Sequence, residues 1–223
     1  MLRRLFSIAV AAGIFASCAT AGEDMLRGEA TRALHRATEF FTGRVATEGG
    51  YLWRYSEDLA LREGEGKASA TTVWVQPPGT PSVAAAFLEA YEATGDKTYL
   101  DAARRAGDCL VRGQLHSGGW DYRIEFEPAQ RSRYAYRVDP SRSSKKARNV
   151  TVLDDDTTQA AVRFLIRLDK AMDFKNATIH EAAQFALNHL LSAQYPNGAW
   201  PQGFTGPPEA DKYPVKKASY PAS

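Results

Sequence analysis

The chain has 223 residues, with 28 Lys and Arg against 26 Asp and Glu, 44% hydrophobic residues and two cysteines. That length and apolar content suit one domain with a sizeable core and exclude a disordered, collagen-like or disulfide-built chain. The near-neutral balance also excludes a partner selected by overall charge, so any electrostatic preference must be local.

Residues 1–21, MLRRLFSIAVAAGIFASCATA, place two arginines before an apolar run and end on Ala19-Thr20-Ala21. That is the layout of a secretory signal peptide, and the run is too short to span a bilayer. The expectation is a secreted or periplasmic protein of residues 22–223, off the membrane unless lipidated at Cys18. Phe15 stands where a lipidation site usually has leucine. Without the leader, basic and acidic side chains number 26 each and Cys109 is the remaining thiol, so no internal disulfide can form.

Beyond the leader the apolar period is helical. Ala33, Ala37, Phe40, Phe41 and Val45 mark a first stripe, and Val83, Phe87, Ala90 and Tyr91 a second. Leu100, Ala103, Gly107 and Leu110 follow, then Ala161, Leu165, Leu168 and Met172, then Ala183, Leu187, Leu190 and Leu191. Five substantial helices are predicted, with short strands confined to the long connections 56–80 and 123–153. The fold class is all-α.

Two of these segments are copies. AARRAGDCLVRGQLHSGGW (Ala102–Trp120) aligns without gaps on AAQFALNHLLSAQYPNGAW (Ala182–Trp200), 80 residues on. The preceding helices correspond as well, Thr80 with Thr157 at an offset of 77, and a weaker half-copy ends in EGGYLWRY (Glu48–Tyr55). The unit is a helical hairpin closed by a Gln-x-x-x-Gly-x-Trp turn. Such units stack into a solenoid or close into a toroid. In this turn Gly118 or Gly198 ends the helix, Gln114 or Gln194 bonds the loop backbone, and Trp120 or Trp200 packs back on the hairpin.

The second long connection is basic. Arg131, Arg133, Arg137, Arg142, Lys145, Lys146 and Arg148 face one acid, Asp139. It runs into VLDDDTTQAAVRFL (Val152–Leu165), where Asp154, Asp155 and Asp156 precede a helix. One carboxylate caps a helix, and Asp156 with Gln159 reads as a capping box. Three in a row repel one another, so a bound cation is the alternative reading for Asp154 and Asp155.

LDDDTTQAAVRFL resembles the Asp-Asn-x-Ala-Thr…Arg-Phe-Leu motif of the family 10 polysaccharide lyases, the helical-toroid pectate lyases, and YPNGAWPQGF (Tyr195–Phe204) resembles their Tyr-Pro-Asn-Gly-Gly-Trp-Pro-Gln-Phe. The similarity covers about residues 80–204. It implies an (α/α) toroid and calcium-assisted β-elimination of polygalacturonate or a related acidic polysaccharide, with Ca²⁺ on Asp154 and Asp155 and Asp154 as the catalytic aspartate. Asp155 replaces an asparagine, which keeps an oxygen ligand and adds charge. Trp120, Tyr122, Trp200 and Arg163 are the expected substrate-binding residues, with Trp53 a further aromatic face. The resemblance places the base, an arginine, later in the chain. Since 23 residues follow Trp200 without another helical pattern, the expectation is an incomplete toroid, the inactive N-terminal portion of a longer enzyme. In an exported protein an acidic polysaccharide is favoured over nucleic acid as the polyanion. Two other classes are open: a glycoside hydrolase using Glu125, Glu127 or the aspartates, and a non-catalytic polysaccharide-binding protein. The four histidines show no triad or metal spacing, and oligomeric state is not written in the sequence.

Overall fold

The computed structural model describes residues 3–139 and 146–209, with side chains from residue 22 onward. It divides into two units, Met1–Arg44 and Val45–Ser223. The first is one long helix, α1 (Arg3–Phe40), passing into a π-helical turn at Phe41–Val45. Among the described residues no helix is long and apolar enough to cross a membrane.

The second unit is built on two helical hairpins. In the first, α2 (Thr80–Thr94) opens with Pro81 in its first turn, where the missing N–H has no intrahelical partner to lose. It stops at Gly95, whose left-handed φ of 73° lets its N–H return to the Tyr91 carbonyl. The next residue, Asp96, already caps α3 (Lys97–Gly113) by accepting from Thr98 N–H at 2.8 Å. In the second hairpin, α5 (Thr157–Ala171) is followed by α6 (Ala177–Ser192), capped by Asn176 onto Ile179 N–H. A single turn, α4 (Pro128–Arg131), lies in the basic connection. Five long helices therefore stand where the apolar stripes were read, and the fold is helix-rich, although Ala33, Ala37 and Phe40 of the first stripe are exposed on α1.

The two hairpins pack on each other through Ala103, Ala106, Leu110, Leu165, Leu168 and Ile179, all buried. Gly107 permits the close approach, because a Cβ there would lie 2.5 Å from Leu168 Cδ2 and 3.0 Å from Ile179 Cδ1. On α6 the buried face is Ile179, Ala182, Ala183 and Ala186. The expected stripe is displaced: Leu187 and Leu190 are half-buried and Leu191 is exposed.

Among the described residues strands occur as three short antiparallel pairs. They are β1 (Arg54–Tyr55) with β2 (Arg62–Glu63), β3 (Thr72–Trp74) with β4 (Arg123–Glu125), and β5 (Thr151–Val152) with β6 (Gly203–Phe204). The last two pairs tie the segment before a hairpin to the segment after a tryptophan turn. They are copies: Val73 faces Ile124 as Thr151 faces Phe204. Val75 N–H donates to the Tyr122 carbonyl at 2.7 Å, and Leu153 N–H to the Gln202 carbonyl at 2.8 Å.

The turns repeat bond for bond. Gln114 Nε2 donates to the Gly118 carbonyl (2.9 Å) and Gln194 Nε2 to the Gly198 carbonyl (2.7 Å). Trp120 Nε1 donates to the Leu110 carbonyl and Trp200 Nε1 to the Leu190 carbonyl, both at 2.7 Å. Gly118 and Gly198 sit at φ of 109° and 86°, the left-handed region the turn requires. One detail of the repeat is corrected. Thr80 Oγ1 accepts from Tyr51 N–H and Thr158 Oγ1 from Trp120 N–H, so the hydroxyl equivalent to Thr80 belongs to Thr158. The helices themselves keep the offset of 77, while the strand segments before them are offset by 78, so Gln76 and Asp154 hold equivalent positions.

Candidate active site

The three aspartates form a 3-10 turn between β5 and α5, and the turn sends them to different places. Asp155 and Asp156 both have left-handed backbones, φ 49° and 61°, a conformation that aspartate tolerates better than most residues but still pays for. Asp156 makes no side-chain cap of α5, and the expected capping box does not form. Its left-handed backbone accompanies a carboxylate paired with Arg163, while Gln159 Nε2 donates to the Leu153 carbonyl at 2.7 Å.

Asp154 and Asp155 line a cleft of about 560 Å³ with Leu153, Gln159, Leu190, Trp200, Pro201 and Gln202. Each carboxylate is held at one oxygen by a neutral donor. Tyr122 Oη donates to Asp154 Oδ2 at 2.9 Å, and Gln76 Nε2 donates to Asp155 Oδ2 at 2.8 Å. Gln76 is buried and its Oε1 accepts from Trp74 Nε1, which fixes the amide so that its NH₂ faces the aspartate. Burial first, then the bond to Asp154, push the Tyr122 phenol up to about 12, so at neutral pH it is a donor. Neutral donors orient a carboxylate without cancelling its charge, which leaves it able to meet a cation.

The cleft is lined by two carboxylates and by Gln159 and Gln202, and the amide oxygen of Gln159 is buried without a hydrogen-bond partner among the described residues. That chemistry fits a hard cation such as Ca²⁺, which takes six to eight oxygens, as part of a shell completed from outside the protein. It does not make a closed cage, because among the described residues no three His, Cys, Asp or Glu side chains cluster as a metal site.

Other expected residues are placed differently. Trp200 is 42% exposed on the cleft wall, with only its indole nitrogen tied to the backbone. Trp120, expected as a substrate platform, is wholly buried at 0% exposure under the second hairpin and offers no face to a ligand. Arg163 lies across the turn from Asp154 and Asp155, in a separate cleft of about 260 Å³ with Asp156 and Arg167. Trp53 is half-buried, its Nε1 donating to the Gln76 carbonyl and its ring edge-on to Trp74. Glu125 is buried, accepting from Thr72 Oγ1, and Glu127 caps α4 through Ala129 and Gln130 N–H. These roles occupy Glu125 and Glu127, and of the carboxylates named for a hydrolase Asp154 and Asp155 line the first cleft.

Residues 129–218 match the model of the family described as Pectic acid lyase. That stretch contains the aspartate turn, the Trp200 turn and most of the basic connection. It is a pectic-acid-lyase-like segment. The family 10 polysaccharide lyase from Cellvibrio cellulosa matches with 14% identity and a TM-score of 0.47, over 74% of this chain and 49% of that one. A mutant of the Cellvibrio cellulosa family 10 lyase in complex with trigalacturonic acid matches with 16% identity and a TM-score of 0.47, over 74% of this chain and 50% of that one. The chain thus spans about half the length of these solved structures. No protein of curated function matches it. The pectic acid lyase resemblance drawn from the two motifs is shared by the family model, whose match includes both.

Gln76 and Gln159 are the residues that the motifs did not reveal. Gln76 lies 79 residues before the aspartate it orients, and only its repeat relationship to Asp154 could have pointed there. Gln159 was read as half of a capping box.

Proposed function

We propose that this chain carries the cation-binding part of an exported pectate-lyase-like enzyme, acting on polygalacturonate or a related acidic polysaccharide by β-elimination. Its stacked hairpins are part of an (α/α) toroid. The observation that carries the reading is the pair Asp154 and Asp155, presented to a cleft beside the exposed face of Trp200 within the segment that matches the family.

In such a reaction the C5–H bond of a uronate breaks, a C4–C5 double bond forms, and the C4–O4 bond breaks to release the leaving chain. The difficult feature is charge building on the carboxylate beside C5. Calcium, when bound, neutralises that charge by oxygen coordination. Asp154 and Asp155 would hold it, with Gln159 offering a neutral oxygen. Tyr122 and Gln76 keep the two carboxylates oriented while leaving their charge intact. Trp200 presents a flat, partly exposed face suited to a sugar ring. We assign no residue to removal of the C5 proton, and Arg163, paired with Asp156 in the separate cleft, is left out of that role.

The test is calcium binding by the chain and, in the enzyme of which it is a part, the ultraviolet-absorbing unsaturated product formed from polygalacturonate with calcium and after chelation. The expected outcome is calcium binding by the chain and product from the enzyme with calcium only, both lost in Asp154→Ala and Asp155→Ala. Unchanged product and calcium dependence in both variants would remove the assignment. A new reducing end without unsaturation would mean hydrolysis, and retention on the polymer with no turnover would leave a binding protein.

A further inference from the structure

A third cleft, of about 330 Å³, lies on the basic connection, and its charges do not balance. Its walls are β4, the end of α4 and residues 146–148. They are joined by main-chain bonds from Arg148 N–H to the Arg133 carbonyl and from Ala135 N–H to the Arg148 carbonyl. Four cations line it: Arg123, Arg133, Lys146 and Arg148. Two are matched. Arg148 pairs with the buried carboxylate of Asp121, and Arg123 lies 3.5 Å from Glu125. Arg123 is further steadied by the Tyr134 hydroxyl and by the face of Trp74. Arg133 donates only to the neutral amide oxygen of Gln130, at 2.9 Å, and Lys146 is exposed. Among the described residues neither meets a carboxylate.

The rest of the basic connection shows why this excess is informative. Arg131 is consumed by Asp139 and two carbonyls, and Arg137 by Gln114, Glu181 and the ring of Phe185. Those arginines staple the loop to the hairpins. Arg133 and Lys146 staple nothing to a carboxylate, and they stand at a concavity that already holds Tyr134 and a fixed arginine. Guanidinium groups match planar oxyanions such as carboxylates.

We propose that this cleft is a second subsite for the acidic polysaccharide. It binds the carboxylate of a uronate other than the one at the aspartates, and it does so without calcium. The inference rests on the acidic-polysaccharide reading above. Arg123 lines the basic cleft, while its neighbour Tyr122 places its hydroxyl on Asp154, so one short stretch contributes to both sites.

The experiment is calorimetric titration of the whole chain with an oligogalacturonate of defined length, in chelator, at two salt concentrations. The paired variant is Arg133→Ala with Lys146→Ala. Arg133 and Lys146 are exposed, so the variant keeps its fold, and a melting curve checks this. The expected result is binding about tenfold weaker in the variant with a shallower salt dependence, as loss of two charge-assisted contacts would give. Equal affinity in wild type and the Arg133/Lys146 variant overturns the subsite, as does absence of binding by wild type in chelator. Loss of binding in that variant, with no calcium binding by wild type at Asp154 and Asp155, keeps the subsite and removes the lyase reading. Calcium binding there with unaltered variant binding does the reverse.

Discussion

Trp120 and Trp200 are the same residue of the repeat, with the same indole bond to the helix ten positions back, yet they do different work. Trp120 is sealed by the following hairpin, and Trp200 opens on the cleft. Trp120→Ala is expected to cost about 3–5 kcal/mol, the range for emptying a buried aromatic site. Trp200→Ala is expected to cost about 1 kcal/mol, close to one hydrogen bond, while weakening oligogalacturonate binding more than Trp120→Ala does in protein that remains folded. Urea unfolding and a binding titration on both variants separate the two. The motif was legible at both tryptophans, but the difference between them was not. Exposure depends on what packs against a residue, and the local spacing is identical. For the same reason the sequence located the aspartates but missed Gln76, whose contact with Asp155 is made across the fold.

At the scale of elements, what joins one hairpin to the next is a threonine hydroxyl at the start of a helix, gripping the main chain at the aromatic end of the preceding turn. Thr80 Oγ1 accepts from Tyr51 N–H at 2.9 Å and also donates to the Tyr51 carbonyl. Thr80→Ala leaves a buried N–H without its acceptor and is expected to destabilise by about 1–3 kcal/mol, with Thr80→Ser recovering most of it. Equal urea midpoints for wild type and Thr80→Ala would mean that the stitch contributes nothing. The helices themselves were readable because their apolar period, Pro81, Gly95 and the caps Asp96 and Asn176 act locally. The strand pairs were not readable. They are two or three residues long and owe their pairing to hairpins that bring distant segments together. Thr157 and Thr158 stand side by side, so the spacing does not show which hydroxyl corresponds to that of Thr80, and only the hydrogen bond identifies Thr158.

For the molecule as a whole, several protons are held by burial. Tyr51 and Tyr136 are shifted upward chiefly by desolvation, and Tyr122 and Cys109 are each pushed up to about 12 by the same leading cause. A group whose folded value is raised stabilises the fold fully below its unfolded value and loses that contribution as pH climbs toward the folded one. With unfolded values near ~8.5 for cysteine and ~10 for tyrosine, the urea midpoint is expected to stay level in these terms to about pH 8 and to fall above it. Cys109 is 0% exposed, so its peptide is expected to take up a thiol reagent only as the fold opens. Labelling of Cys109 in native protein at the free-thiol rate would refute this.

The equivalence of Gln76 and Asp154 has a historical consequence. Each duplicated unit inherits a slot just ahead of its first helix, filled once by Gln76-Pro77-Pro78 and once by Asp154-Asp155-Asp156. Acidic chemistry could therefore arise by point changes in one daughter slot with no new architecture. The neutral slot serves the acidic one, since Gln76 is the brace that aims Asp155.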